Sequence, residues 1–186
     1  TAWCWGEGGH GQLGNGNTED QALPQQIYAV PAEQISARAN HTCVYAGSEL
    51  RCWGANNYGQ LGNGLFEDSP AALVVSGVSG VTDIATGLEH TCVFVDGAGV
   101  SCWGRNDLGQ LGLGDSLRSA VAIDVPGVTA GQQSVAVGPN HSCALDAGGQ
   151  VQCWGRVETG ELGIAINQEE RVPEMVGPTA VSALTG

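Results

Sequence analysis

Three histidines stand where imidazole chemistry is easiest to imagine. His41, His90 and His141 each open a His-Thr-Cys or His-Ser-Cys tripeptide. Such a set has the residue types that ligate a metal or activate a nucleophile. Its recurrence argues against both. A catalytic group is needed once, whereas a residue repeated in phase serves the architecture. These three are therefore expected to be structural, as neutral imidazoles bonding a backbone group of the neighbouring unit. His10 is unrepeated and stands where later units carry Tyr58 and Leu108, so it is the better site candidate. The chain has no His-Glu-x-x-His, no phased Ser-His-Asp set and no paired carboxylates at repeated depth. No catalytic residue is assigned and an enzyme is not expected. Asn17–Asp20 and Glu67–Ser69 gather oxygen ligands but lack the twelve-residue calcium-loop pattern, so no metal is assigned. The Gly-Gln-Leu-Gly turns at Gly11–Gly14, Gly59–Gly62 and Gly109–Gly112, with Gly160–Gly163 as Gly-Glu-Leu-Gly, could cradle a phosphate. No helix-forming segment follows them and the chain has no lysine. Their glycines instead fit a crossing turn with positive φ, anchored by Leu13, Leu61, Leu111 and Leu162 and bonded by Asn15, Asn63, Asn56 and Asn106. No cofactor is expected.

The cysteines do different chemistry. Cys92 and Cys102, like Cys143 and Cys153, are ten residues apart, and Cys43 and Cys52 are nine apart. A hairpin turn centred on Gly97 sets Cys92 opposite Cys102, Val93 opposite Ser101 and Phe94 opposite Val100. A two-residue turn at Gly47–Ser48 sets Cys43 opposite Cys52. Opposed cysteines on antiparallel strands reach disulfide distance. Three disulfides are expected, each contributing about 2.5 kcal/mol through loop closure. They imply an oxidising compartment, so the protein is expected to be secreted or on the cell surface. Cys4 is left alone.

The elements that position these groups follow from a repeat. Cys-Trp-Gly recurs at Cys4–Gly6, Cys52–Gly54, Cys102–Gly104 and Cys153–Gly155, at spacings of 48, 50 and 51 residues. The third unit shows the local pattern. Val81–Thr86, His90–Val95, Val100–Trp103 and Ala120–Val125 alternate as short strands, with a turn at Asp96–Gly99. Four short strands per unit of about fifty residues describe a propeller blade. The units run approximately over 1–30 (partial), 31–79, 80–130, 131–180 and 181–186 (the start of the next), within a single segment spanning 1–186. Trp5, Trp53, Trp103 and Trp154 each neighbour a cysteine, so their side chains face the other side of the strand and are expected to pack between blades. Trp3 is extra, on the face of Trp5. The strand that should pair with Trp3–Trp5 is missing, and Val181–Gly186 matches Thr82–Gly87, the strand before a His-Thr-Cys segment. The chain is thus expected to be a permuted, truncated or proteolysed piece of a larger array, with self-association or strand exchange through its cut blade edges. Two such arcs approach one ring, so a dimer is the simplest expectation.

The formal net charge is −13, and all six basic residues are arginine. Such a surface repels phosphate backbones, so no nucleic-acid partner is expected. No apolar run is long enough to cross a bilayer, so no membrane insertion is expected.

The motifs Cys52–Gly64 (CWGANNYGQLGNG) and Cys102–Gly114 (CWGRNDLGQLGLG), with the Gly-x-x-His-Thr-Cys segment from Gly87, resemble the RCC1 (regulator of chromosome condensation) repeat. The resemblance covers the whole chain. It implies an all-β RCC1-like propeller, here an open arc of about three and a half four-stranded blades or part of a larger ring of about seven. Family members include nucleotide-exchange factors for a small nuclear GTPase, plant ultraviolet-light receptors and secreted bacterial inhibitors of β-lactamase. The fold alone does not choose among them. The paired cysteines and acidic, lysine-free surface depart from the nuclear members and resemble a secreted bacterial relative. The last unit diverges, with Val157 where Asn56 and Asn106 stand, Glu161 for Gln60 and Gln110, and Ile164-Ala165 where earlier units carry an x-Gly pair. The resulting expectation is a protein-binding scaffold whose unrepeated loop residues meet a partner: Tyr28, Tyr58, Leu65, Phe66, Glu67, Leu108 and Arg118. Alternatives are a secreted enzyme inhibitor, a polysaccharide-acting hydrolase or lyase, and a purely structural surface module.

Overall fold

Gly47 and Ser48 both adopt positive φ, 60° and 70°. This is the geometry that joins antiparallel strands through two residues without splaying them. The hairpin it closes places Cys43 opposite Cys52, and the next hairpin places Cys92 opposite Cys102, Val93 opposite Ser101 and Phe94 opposite Val100. In this computed structural model, residues 1–29, 31–128, 131–158, 160–162 and 170–176 are described. The strand expected over Thr179–Thr185, the match at Val181–Gly186 and the Ile164-Ala165 departure lie outside them.

The described residues contain strands and no helix. The first sheet has two strands, β1 (Ala2–Gly6) and β2 (Gln21–Tyr28). The second runs β3 (Gln34–Arg38), β4 (His41–Ala46), β5 (Glu49–Gly54), β6 (Ser69–Val74). The third runs β7 (Val81–Thr86), β8 (His90–Val95), β9 (Gly99–Gly104), β10 (Ser119–Asp124). The fourth runs β11 (Gln132–Val137), β12 (His141–Asp146), β13 (Val151–Gly155), β14 (Glu170–Met175). All neighbours are antiparallel. The molecule is a propeller arc of three blades and a half. Strands β3, β7 and β11 meet one another and line a groove of about 500 Å³ on the axis. Polar contacts bridge it: Ser36 Oγ to Thr86 Oγ1 at 2.9 Å, and Val135 N to Asp83 Oδ2 at 2.9 Å. Arg38 Nη1 reaches Val137 O at 3.1 Å.

The three expected disulfides, Cys43–Cys52, Cys92–Cys102 and Cys143–Cys153, are formed, and Cys4 is free. Each pair opposes its cysteines at a Cα separation of 4.1 Å. They belong to the layers between blades. Cys43 and Cys52 pack with Trp103 of the next blade, and Cys92 and Cys102 with Trp154. Trp53, Trp103 and Trp154 are fully buried. Trp5 departs from that expectation and is 60% exposed. The buried indoles lie against the glycine turn of the preceding blade, and no described residue supplies such a turn to Trp5.

That turn is the hub of each interface. Its glycines bring a backbone carbonyl into the layer. Gly59 (φ 85°) sits so close to the next blade that a Cβ would lie 2.6 Å from Ala120 Cα. The Gln60 carbonyl then accepts Trp103 Nε1–H at 2.8 Å and the Thr91 hydroxyl at 2.9 Å. Gln12 O does the same for Trp53 (2.9 Å) and Thr42 (3.0 Å), and Gln110 O for Trp154 (3.0 Å) and Ser142 (2.8 Å).

The histidines join this hub, with one correction to the expectation. Their partners are hydroxyls of the next blade rather than backbone groups: His41 Nε2 meets Thr91 Oγ1 and His90 Nε2 meets Ser142 Oγ, both at 3.0 Å. A hydroxyl has one hydrogen, and here the Gln carbonyl takes it. The hydroxyl must therefore accept from the ring, which assigns the Nε2–H tautomer to a neutral imidazole. Burial lowers the pKa of His41 to about 4. For His90 burial comes first and the charges of His41 and His141 add, lowering it to about 3. Burial lowers that of His141 as well.

The unfolded chain protonates these rings near pH 6.5, whereas the folded chain resists until about pH 3–4. More protons are then bound by the unfolded state, so the stability these groups support is full above about pH 6.5 and declines as pH falls toward 3. Urea denaturation from pH 7 to pH 4 should show this decline. His41→Gln with His90→Gln should lower stability at pH 7 and flatten the slope; an unchanged slope would contradict the assignment.

Candidate interaction face

The long connections between β1 and β2, β5 and β6, and β9 and β10 share a fixed base. Gln60 Oε1 accepts Tyr58 N at 3.0 Å, as Gln12 Oε1 accepts His10 N and Gln110 Oε1 accepts Leu108 N. Buried Asn56 receives Leu61 N and donates to Leu65 O; Asn106 repeats the pattern with Leu111 N and Asp115 O and adds a bond to Leu117 O. Every one of these bonds returns the loop to itself. The base therefore repeats, and the tips are free to differ.

One tip position separates the loops. Asp20 caps the Gly8 N–H at 2.9 Å and Asp68 caps the Asn56 N–H at 2.8 Å. The third unit has Arg118 there. Unable to accept a hydrogen bond, its guanidinium reaches back across the blade boundary, donating to Asn57 O at 3.0 Å and covering the Phe66 ring at 4.4 Å. Arg105 makes a parallel crossing 5.1 Å over Tyr58. A fork to both oxygens of Asp107 and a third bond to Glu89, all at 2.6 Å, hold it there. Arg105 keeps the Asp107 carboxyl below the usual carboxylate range, and Asp107 first, then Glu89, push the guanidinium up. On the other side His10 Nδ1 meets Asp68 Oδ2 at 3.0 Å.

These contacts tie three successive loops into one stripe. Leu65, Phe66 (41% exposed) and Leu117 (71% exposed) form its apolar part, flanked by Glu67, Asp68, Asp107 and Asp115. Of the residues singled out in the sequence, Tyr58, Leu65, Phe66, Glu67 and Arg118 come together. Leu108 occupies the Tyr58 position one blade further on. The side chain of Tyr28 lies outside what is described. Arg105, Leu117, Asn57 and Glu89 were not foreseen. Aligning the units exposes two of them, since Arg105 replaces Ala55 and Leu117 replaces Glu67. The oxygen-rich segments act as loop caps, Asn17 Oδ1 taking Glu19 N and Asp20 taking Gly8 N. Among the described residues no three His, Cys, Asp or Glu side chains converge as metal ligands.

Two family models, each described as the regulator of chromosome condensation (RCC1) repeat, match the chain. One covers residues 1–45 and 50–94, the other 81–110 and 133–156. The ultraviolet-B receptor UVR8 of Arabidopsis thaliana is 35% identical over 184 residues, 94% of this chain and 42% of that protein. Yeast RCC1 (Prp20), solved bound to Kap60, superposes with a TM-score of 0.83 at 23% identity, covering 95% of this chain and 44% of that one. Human WBSCR16 gives 0.78 at 22% identity, over 95% and 47%. At those identities the structural likeness is one of fold. The chain spans less than half the length of each of these relatives.

Base and tip should respond differently to substitution. Gly59→Ala forces a Cβ against the Ala120 backbone at a positive φ and should destabilise by roughly 2 kcal/mol or more. Arg118→Ala removes exposed contacts and should stay within about 1 kcal/mol of wild type. Urea midpoints measure both. An Arg118→Ala loss equal to that of Gly59→Ala would make Arg118 a structural strut.

Proposed function

We propose, on the premise that this chain belongs to the RCC1 repeat family, that it is a protein-binding propeller scaffold working outside the cell and recognising its partner through the loop stripe. The observation that carries the reading is the contrast within the second and third loops: a base held by the same Asn and Gln bonds in both, and tips that depart from the repeat where Leu65, Phe66, Leu117 and Arg118 lie. Ring-forming packing requires nothing of exposed apolar side chains, whereas an interface uses them as anchors. Arg118 and Arg105 hold the Phe66 and Tyr58 rings in place before any partner arrives, which lowers the entropy of ordering them on binding. The flanking carboxylates favour a partner with an apolar knob in a basic surround. The three disulfides support an extracellular setting, because they persist where the surroundings are oxidising. A binding role rather than catalysis fits the ionisable groups: His41 and His90 are buried and neutral, and Asp20 and Asp68 cap loops.

The test compares the immobilised chain with a Phe66→Ser, Leu117→Ser variant of matched urea midpoint, using secreted and intracellular protein fractions from the source organism. A protein retained from the secreted fraction by wild type and roughly tenfold more weakly by the variant is expected. Equal retention by both rejects the loop stripe, and retention from the intracellular fraction alone rejects the extracellular setting.

A further inference from the structure

Strand β10 is the outer edge of the third sheet. The opposite edge, β7, meets β3 and β11 at the axis, whereas β10 is hydrogen-bonded to β9 alone among the described strands. The ladder fixes which backbone groups are already used. Val125 N–H donates to Val100 O of β9 at 2.8 Å, and Ile123 pairs with Cys102. Backbone groups alternate in direction along a strand, so the N–H and C=O of Ala122 and Asp124 point away from β9. No described residue bonds them. One step earlier the edge is closed, because Ser119 Oγ bonds both Val121 N at 3.2 Å and Val121 O at 2.6 Å.

The other outer strands are protected at this place. Cys4, Cys52, Cys102 and Cys153 oppose Gln25, Leu73, Ile123 and Glu174, which aligns Ala122 with Pro24 of β2, Ala72 of β6 and Pro173 of β14. Proline has no N–H to offer an incoming strand. Ala72 keeps its N–H, but Arg51 Nη1 covers its carbonyl at 3.4 Å. Gln25 and Glu174 also set polar side chains where β10 has Ile123. Such devices keep natural sheet edges from recruiting strands. Strand β10 has none of them. Its outward groups are open, and Val121 and Ile123 stand beside them 52% and 39% exposed.

We propose that the outer edge of β10 accepts an extended, basic segment of a partner protein as an added antiparallel strand. Ala122 and Asp124 each exchange a pair of backbone bonds with it, which supplies the affinity, and alternate side chains supply the selectivity. The residue opposite Ile123 lies on the Ile123 face and is apolar. The residue opposite Asp124 is a lysine or arginine. Asp124 Oδ1 accepts the Ser101 hydroxyl at 2.7 Å, and no described residue bonds its Oδ2, which is left for that cation. Charge selects the class of occupant. A second copy of the chain could align Val121 with Ile123 across a two-fold axis, but it brings the same formal charge of −13 to the contact. A basic segment meets attraction instead. The edge belongs to a complete blade, and it depends neither on the loop stripe nor on the extracellular setting.

The probe is the acetylated and amidated peptide Thr-Lys-Val-Thr-Val-Thr, whose lysine falls opposite Asp124 and whose first valine falls opposite Ile123. Amide NMR of the full chain follows its binding. The expected result is saturation with a Kd of about 1 mM or tighter, with slowed hydrogen exchange at the Ala122 and Asp124 amides. Ala122→Pro places in β10 the residue that β2 and β14 already hold in that register, and it should weaken binding at least roughly tenfold with the spectrum elsewhere unchanged. On the unaltered chain, methylating the backbone nitrogens of the peptide's lysine and central threonine should do the same, and glutamate in place of the lysine should also weaken binding. Absence of saturable binding, equal binding by Ala122→Pro or by either altered peptide, or shifts confined to the loop stripe would each overturn the proposal. So would a dimer of the chain alone that Ala122→Pro dissolves, because a second copy would then be the occupant.

Discussion

A backbone carbonyl buried between two blades must be hydrogen-bonded, because nothing else offsets the loss of its water. In this protein the Gln12, Gln60 and Gln110 carbonyls are in that position, and each finds both of its donors on the following blade. One donor is an indole N–H that comes with the largest buried side chain of the layer. The other is a hydroxyl that in turn receives a histidine where a preceding blade provides one. A blade taken alone would leave its carbonyl orphaned and the indole of its neighbour in water. The repeat is therefore a repeat of interfaces more than of sheets. The glycines, the Gln-Leu pair, the His-x-Cys strand and the tryptophan are the parts of one joint distributed over two units.

The disulfides reinforce the same joint. Each staples the central hairpin of its blade, and the Cys43–Cys52 and Cys92–Cys102 pairs turn their sulfurs toward the tryptophan of the next. The covalent bond and the indole thus face each other across one layer. With the joint fixed this firmly, the loop tips carry little of the folding burden. Asp20 and Asp68 still cap their loops, yet Arg118 stands at the same position and the loop persists, its Asn106 and Gln110 bonds unaltered. Freedom at the tip is what allows a scaffold to acquire a recognition surface without disturbing its core.

Hairpin register was legible in the sequence because it is set locally. The Gly47–Ser48 turn and the nine- and ten-residue cysteine spacings leave one pairing that opposes sulfurs and keeps apolar residues inward. The repeat fixed the fold class for a similar reason, since recurring motifs constrain every unit at once. What the sequence concealed lies between units. That the imidazoles bond hydroxyls depends on how far one blade is rotated from the next, which no spacing encodes. Trp5 shares its motif with three buried tryptophans and is exposed, because burial is supplied by the preceding turn rather than by the indole's own strand. Arg105 drew no attention in the sequence because its partners Tyr58, Asp107 and Glu89 come to it from two blades.

The shared carbonyl makes a specific demand on energetics. With two donors on Gln60 O, removing either leaves the carbonyl satisfied by the other, and only the loss of both orphans it. A double-mutant cycle of Thr91→Val and Trp103→Phe, measured by urea denaturation at pH 7, reads this directly. The double variant should be less stable than the sum of the single losses predicts, by about 1–3 kcal/mol, the penalty of one unsatisfied buried carbonyl. Additivity within about 0.5 kcal/mol would mean that the two donors act independently and that the carbonyl is not the joint on which the blades depend.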